Sequence, residues 1–583
     1  MNTKPLHRST SRHRRLAALT LVGALALVAC GSDDDSSSAE PSATDPSASA
    51  TIADEGAEAT SAPPASEPES TDAAPSTDPA DAVQTGGTLT FALPTDPLSV
   101  QPRGGGAGND QLYVARQIFD SLLEQDPETG GLIPWLAESW DVNDDATEFT
   151  FHLRDDVTFS DGTPLTAQIV KDNFDDVIAS GAKATWVIAF FAGYEASTVV
   201  DDHTVTVTFS QPNAPFPQAV ATSGMGIVGP ATLAVPFEDR ATANLVGTGP
   251  FVLESYTAAS EIVLTKREGY AWAPADRSNT GDAYLDRIVW QIVPEAGVRT
   301  GSLQSGQVAG IGGVPPQDIE TLRSDGFQLV SRPNPGITFG LSAVADHAPL
   351  GDALVRQAIA AGIDTTDVRD TVLSADFAVA SSVLSQTTPG QVAVDELIAY
   401  DPDAAAALLD QAGWTLGSDG VREKDGEKLH IVLGWSTNFG PNQAALELIQ
   451  AQLAEIGVEI ELKSTVGPEF IESLSTGAFD LVWGNLSRAD GDVLRTAFST
   501  AGTNYYRIDD PDLEALLQEQ VAIGDPAARD EVLAEAQSRV VEQAHQIPVF
   551  ELTTVLAFDE DVHGARLGAD SRIDQLADAW VAS

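Results

Sequence analysis

Residues 149–154 read Phe-Thr-Phe-His-Leu-Arg, and residues 159–167 read Phe-Ser-Asp-Gly-Thr-Pro-Leu-Thr-Ala. The first stretch alternates large apolar with polar side chains, the pattern of a strand buried on one face. In the second, Asp161-Gly162 ahead of Thr163-Pro164 is turn chemistry, with the glycine free to take positive φ. A helix is expected directly after it, at Thr166–Ala179. Leu136, Trp140, Phe149 and Phe151 read as core.

Outward from this block the same rules give mixed α/β order. Gly86-Gly87 opens a strand over Thr88–Leu93, and residues 110–124 carry Leu112, Ala115, Ile118, Phe119 and Leu122 at helical spacing. A strand is expected at Thr204–Phe209 and helices at Asp403–Ala412, Asn442–Ile456, Pro511–Ala522 and Ala527–Gln543. Gly413 and Gly457 act as stops. Val458–Leu462 alternates as a strand. Arg103-Gly-Gly-Gly-Ala-Gly108 reads as a flexible loop, without the context of a phosphate site. No internal repeat appears, and no membrane span in the body.

A chain of 583 residues exceeds what one core usually organises, so several compact units are expected. The formal charge of −55 falls in three regimes. Residues 1–30 carry +5, residues 31–85 carry −13 with no lysine or arginine, and the rest carries −47. No basic stripe tracks a phosphate backbone, which excludes nucleic acid as a partner. The body's charge favours solubility and opposes anionic surfaces.

The apolar run Leu16–Val28 is too short to span a bilayer core, which takes about 20 helical residues. With basic residues before it and small ones after, it reads as a secretory signal peptide over 1–29. Leu27-Val28-Ala29-Cys30 resembles the lipobox of bacterial lipoproteins, which implies acylation of Cys30, the chain's one cysteine. A diacylglycerol plus a further acyl chain would hold stably at a membrane. Residues 30–85, rich in Ser, Ala, Pro and acids, cannot bury enough surface to order themselves. They are expected to be a solvated tether.

Gly86-Gly87-Thr88-Leu89, Leu136-Ala-Glu-Ser-Trp140 and the two opening stretches together resemble the signature of the extracellular solute-binding proteins, family 5, the dipeptide, oligopeptide and nickel group of ABC importers. The resemblance continues through Gly247-Thr-Gly-Pro-Phe251, Val355-Arg-Gln-Ala-Ile359 and Leu408-Leu-Asp-Gln-Ala-Gly-Trp414 to Gln546-Ile-Pro548, covering about 86–560 in order. It implies a two-lobe α/β clamp, like a periplasmic binding protein, with a smaller α+β domain inserted in the first lobe. The first lobe would comprise 86–125, 246–340 and 546–583, the insertion 126–245 and the second lobe 341–545. It further implies an extracytoplasmic, lipid-anchored monomer that captures a small polar solute, peptide-like by preference, and passes it to ABC permease subunits served by separate ATPase subunits. No cofactor is implied. A lipid-anchored sensor or chaperone on the same fold, or a hydrolase, is the alternative.

Three segments are expected at the cleft. Thr95 and Asp96 follow the opening strand. Trp435 and Asn438 leave the strand Leu429–Leu433. Trp483, Asn485, Ser487, Arg488 and Asp490 follow Phe479-Asp480, where a capping role for Asp490 or Asp492 is the competing structural reading. Peptide-binding members of the family commonly place here an Asp that pairs the ligand's α-amino group. Aligning Asp490-Gly-Asp492 with their acidic turn puts Ser487 at that position. A hydroxyl cannot supply a carboxylate's charge-assisted bond, so the ligand end facing this segment is expected to be anionic or uncharged, with Arg488 available to grip a carboxylate. His152, His203, His347, His430, His545 and His563 are scattered singly, so no direct metal site is expected. No G-x-S-x-G, H-E-x-x-H, P-loop or serine–lysine pattern stands out, and the chain reads as a non-enzyme.

Overall fold

A computed structural model describes residues 83–106 and 108–582. The expected signal peptide, Cys30 and the tether as far as residue 82 lie outside the described residues. None of the helices described is long and apolar enough to cross a membrane.

Three sheets organise the body. A seven-stranded sheet runs in the order Gln328–Pro333, Thr553–Phe558, Gly310–Ile311, Thr88–Leu93, Arg287–Ile292, Glu261–Lys266, Phe251–Thr257. Its centre is parallel, with Thr88–Leu93 between Arg287–Ile292 and Gly310–Ile311, and its flanks are antiparallel. A five-stranded sheet follows the order Glu459–Thr465, His430–Ser436, Leu481–Ser487, Gly336–Ala343, Gln546–Phe550. The third, four-stranded and antiparallel, is the opening block itself: Ala137–Val142, Glu148–Leu153, Thr204–Phe209, Tyr194–Asp201.

Each sheet has its own core. Glu148–Leu153 buries Phe149 and Phe151 and turns its polar residues outward. These rings meet Phe216, which lies 4.8 Å from Phe209 edge-on, and such pairs add about 0.5–1.5 kcal/mol each beyond area burial. Gly162 takes φ +85° in the expected turn. Thr166 caps the helix Ala167–Ser180, its hydroxyl accepting from Ile169 N–H. The five-stranded sheet packs Leu341, Leu433, Leu481 and Trp483 against the helix Asn442–Glu455 and its neighbours. Every position of Gly336–Ala343 is buried, as a strand covered on both faces requires.

Two expectations are corrected here. The helix expected over 110–124 ends at Ile118, and Leu123–Gln125 is a strand. The cause is a close approach. Gly249 N–H donates to Ile118 O at 2.9 Å, and a Cβ on Gly247 would lie 2.0 Å from that same oxygen. The glycines of Gly247-Thr-Gly-Pro250 thus let a loop cap the helix end before the chain enters the strand Phe251–Thr257. The loop at Arg103 is also not free: Arg103 is buried and its guanidinium is held by Asn173 and Asp176.

The chain passes between the seven- and five-stranded sheets twice, through Asn334-Pro335 and through Glu551-Leu552. Strand Gly336–Ala343 and strand Gln546–Phe550 pair within the five-stranded sheet, because the hydrogen-bond ladders change partner only at those two crossings.

Candidate binding cleft

The two crossings lie side by side. Asn334 N–H donates to Leu552 O at 2.6 Å, and Asn334 Oδ1 accepts from both the N–H and the hydroxyl of Thr554 at 3.0 and 2.8 Å. Two short antiparallel segments joined this way can flex together, which is how a hinge of the clamp type closes. Loops from both sides brace it. Ser571 and Thr387 donate their hydroxyls to Pro333 O at 2.7 and 2.9 Å, and Gly336 N–H donates to Thr388 Oγ1 at 2.7 Å. The Glu551 carboxylate is buried in the hinge and accepts from Ser385 Oγ, Gln386 N–H and the Gln386 amide at 2.8–3.1 Å. Burial pushes its pKa up, against those bonds.

On the first-lobe side, the helix Gly108–Ile118 starts beside the end of strand Thr88–Leu93. Thr95 donates both its N–H and its hydroxyl to Asp110. Burial raises the Asp110 carboxyl to about 6, against those bonds. One turn on, Tyr113 is buried beside Thr554 of the hinge. Arg572 donates to Asn109 Oδ1 at 3.0 Å and to Asp570 at 3.1 Å, and its guanidinium lies 6.0 Å from the ring centre of Trp186.

The lobes meet at the opposite wall. Gln125 donates its amide to Ala489 O, and Ala214 N–H donates to Val521 O, both at 2.9 Å. The Arg488 guanidinium sits 4.8 Å above the ring of Phe190.

The expected site residues divide by what already engages them. Asp96 accepts from Tyr256 O–H and from the N–H groups of Leu98 and Ala259, which fix the loop after the strand. Trp435 is buried in the core of the five-stranded sheet. Trp483 is buried against Phe339 and Phe550 and donates its indole N–H to Asn442 Oδ1 at 2.9 Å. The cleft segment expected after Phe479-Asp480 begins inside the sheet: Leu481–Ser487 is the central strand, so its apolar start belongs to the core. Asp490 takes two bonds from Arg529, at 2.9 and 2.6 Å, and caps Asp492 N–H at 2.7 Å. Arg488 spends one nitrogen on Asp492 at 2.9 Å. Thr95 and Asn438 are exposed, and Asn485 and Ser487 half-exposed at the strand's end. Those four keep polar surface toward solvent. Among the described residues no group of three His, Cys, Asp or Glu is arranged to hold a metal ion.

Sequence reading missed Asp110, Glu551, Asn334, Arg332 and Arg572. Spacing rules do not display them: Glu551 and Asn334 meet Ser385 and Thr554, 166 and 220 positions away, Arg572 reaches back 463 positions to Asn109, and Asp110 is singled out only by its bonds from Thr95 in the folded chain.

Three sheets, two adjacent crossings and loops converging from both sides define a two-lobe, hinged solute-binding protein. The family model for bacterial extracellular solute-binding proteins, family 5, matches residues 131–505, and the chain belongs to that family. It is 27% identical over 395 residues to the nickel-binding periplasmic protein of Escherichia coli K12, covering 64% of this chain and 71% of that one. It is 26% identical over 513 residues to the dipeptide-binding protein of the same organism, covering 82% and 91%. Its fold matches NikA from Brucella suis, solved in complex with Fe(III)-EDTA, with a TM-score of 0.74 at 23% identity over 85% of this chain and 100% of the other. It also matches the oligopeptide-binding protein AppA of Bacillus subtilis, solved with a nonapeptide, with a TM-score of 0.69 at 19% identity over 86% and 100%. Proteins of this family bind solutes and are not enzymes.

Proposed function

We propose that this chain is the substrate-binding lipoprotein of an ABC importer. It captures one small polar solute, peptide-like by preference, between the lobes and delivers it to a membrane permease whose ATPase subunits are separate chains. The observation that carries the reading is the paired crossing at Asn334-Pro335 and Glu551-Leu552, which joins two independently cored lobes by a strip narrow enough to bend. Residues 126–245 form the inserted domain, and the first lobe is assembled from the segments on either side of it together with the C-terminal segment after the second crossing. Thr95, Asn438, Asn485 and Ser487 supply polar contacts to the solute. Ser487 offers a hydroxyl and no charge, so the solute end facing it is not a free ammonium. Cys30 carries the lipid, and residues 30–85 let the monomeric body reach from the extracytoplasmic membrane surface.

A thermal-shift screen of the purified full chain against di- and tripeptides, sugars and metal chelates, followed by uptake of each hit in cells lacking the gene, tests this. The account expects a hit whose uptake is lost with the gene and with Cys30→Ala, which should release the protein from membranes. A hit converted to product by the protein would overturn it.

A further inference from the structure

Twenty arginines stand among the described residues. Nineteen of them donate to a carboxylate or a carbonyl oxygen of the chain. Alone among these arginines, Arg332 has no side-chain hydrogen bond and no ion pair, and its Nε is closed off from water without an acceptor. In a chain with 86 acidic residues against 31 basic ones, an arginine at the surface meets a carboxylate easily. A half-buried guanidinium left without one loses hydration and gains nothing in return.

Its position gives the exception meaning. Arg332 is the last residue but one of the strand Gln328–Pro333, directly before the first hinge crossing, and it pairs in register with Thr554 on the neighbouring strand. It therefore shares a sheet face with Thr554, whose hydroxyl donates to Asn334 and beside which Tyr113 is buried. Ser571, beside Asp570 and Arg572, anchors Pro333 itself. Burial depresses the guanidinium's pKa, and Asp570, Glu128 and Asp126 oppose that from beyond ion-pair distance. Two of these are already engaged: Asp570 with Arg572, and Asp126 with the N–H groups of Glu128 and Thr129. Arg488, expected from sequence as the anion grip, is held by Asp492 and stacked on Phe190.

We infer that Arg332 is the anion-receiving group of the cleft, and that the solute carries a carboxylate which docks on its two terminal nitrogens as the clamp closes. A guanidinium matches a carboxylate in bidentate fashion, which fixes orientation as well as charge. This rests on the reading of the chain as a solute binder and adds to it the chemical class of the solute.

The test titrates the full chain with di- and tripeptides bearing a free carboxylate, with the same peptides amidated, and with citrate, while solute retained through purification is identified by mass spectrometry. A bound carboxylate probe should weaken about ten-fold or more in Arg332→Gln. Arg332→Lys should recover part of the loss, and amidated probes should be indifferent to either change. Equal binding of carboxylate and amide overturns the inference, as does a retained solute without an acidic group. So does an Arg332→Gln variant that keeps its affinity, or one whose only effect is a fall in Tm matched by Glu128→Gln, which would make Glu128 the true partner. A chain that binds no probe and retains no solute overturns the solute-binding reading as well.

Discussion

Arg488 lays its guanidinium 4.8 Å over the ring of Phe190 while donating to Asp492 at 2.9 Å. Phe190 packs on the core of the four-stranded sheet and Arg488 directly follows Leu481–Ser487, the central strand of the five-stranded sheet, so one side chain joins the two cores. A cation over an aromatic face is worth about 0.5 kcal/mol when exposed and about 2 when desolvated.

Phe190→Ala should therefore favour the open form and weaken solute binding by about two- to thirty-fold. Small-angle scattering should show a larger radius of gyration at subsaturating solute, with Tm of the separate cores little changed. An unchanged radius and affinity would remove Phe190 from the closing contact.

Gly336 begins the strand after the first crossing with φ +106°, and a Cβ there would lie 2.2 Å from Leu486 O and 2.6 Å from Arg488 N. Gly426 has φ +88° in open space. Gly426→Ala should cost only the conformational strain, about 1 kcal/mol. Gly336→Ala should cost clearly more in chemical denaturation, since backbone must move. Equal costs would mean that the close approach at the hinge is not maintained in solution.

Asp490 is a buried partner of Arg529 rather than a ligand group. Asp490→Asn should destabilise the protein by about 3 kcal/mol, the cost of leaving a buried charge without its counter-ion, while solute affinity of the folded fraction stays near wild type. Ser487→Ala should do the reverse. Loss of binding in Asp490→Asn without loss of stability would place the carboxylate in the cleft after all.

Acidity should affect stability in two windows. Burial outweighs hydrogen bonds at Asp110 and Asp120 and raises each to about 6, against an ordinary carboxylate value near 3.8. Folding thus binds protons there, and the stabilisation is fully present below about pH 3.8 and lost as pH rises through about 6. At Asp510 burial is outweighed by bonds from Arg539 and His545, and the carboxyl falls to about 2. Its stabilisation is present above about 3.8 and lost as pH drops through about 2. Thermal unfolding should show Tm rising as pH falls from 7 to 5, and Asp120→Asn should flatten that slope. A Tm that falls over the same window, unaffected by Asp120→Asn, would contradict it.

Local chemistry was legible in the sequence where one segment decides its own structure. Thr166 caps its helix and Gly162 makes its turn because the atoms involved are three residues apart or fewer. Thr204–Phe209 keeps its alternation because one face is buried and the other half-exposed. The reading failed where tertiary contacts decide. Trp483 reads as a residue of a cleft segment, yet it sits in the buried start of a central strand, where large apolar residues serve packing. The helix from residue 108 stopped early because Gly249, 131 positions beyond Ile118 in the chain, reaches its last carbonyl. Arg332 is conspicuous only by lacking a partner, and no spacing rule displays that.

The central claim is that the cleft holds one small solute and releases it intact. Native mass spectrometry of the full chain purified from its own cells, before and after denaturation, measures this directly. The account predicts a single solute bearing a carboxylate, at one per chain, recovered chemically unchanged. A chain that carries no solute from its own cells and takes up none when refolded in their small-molecule extract would contradict it.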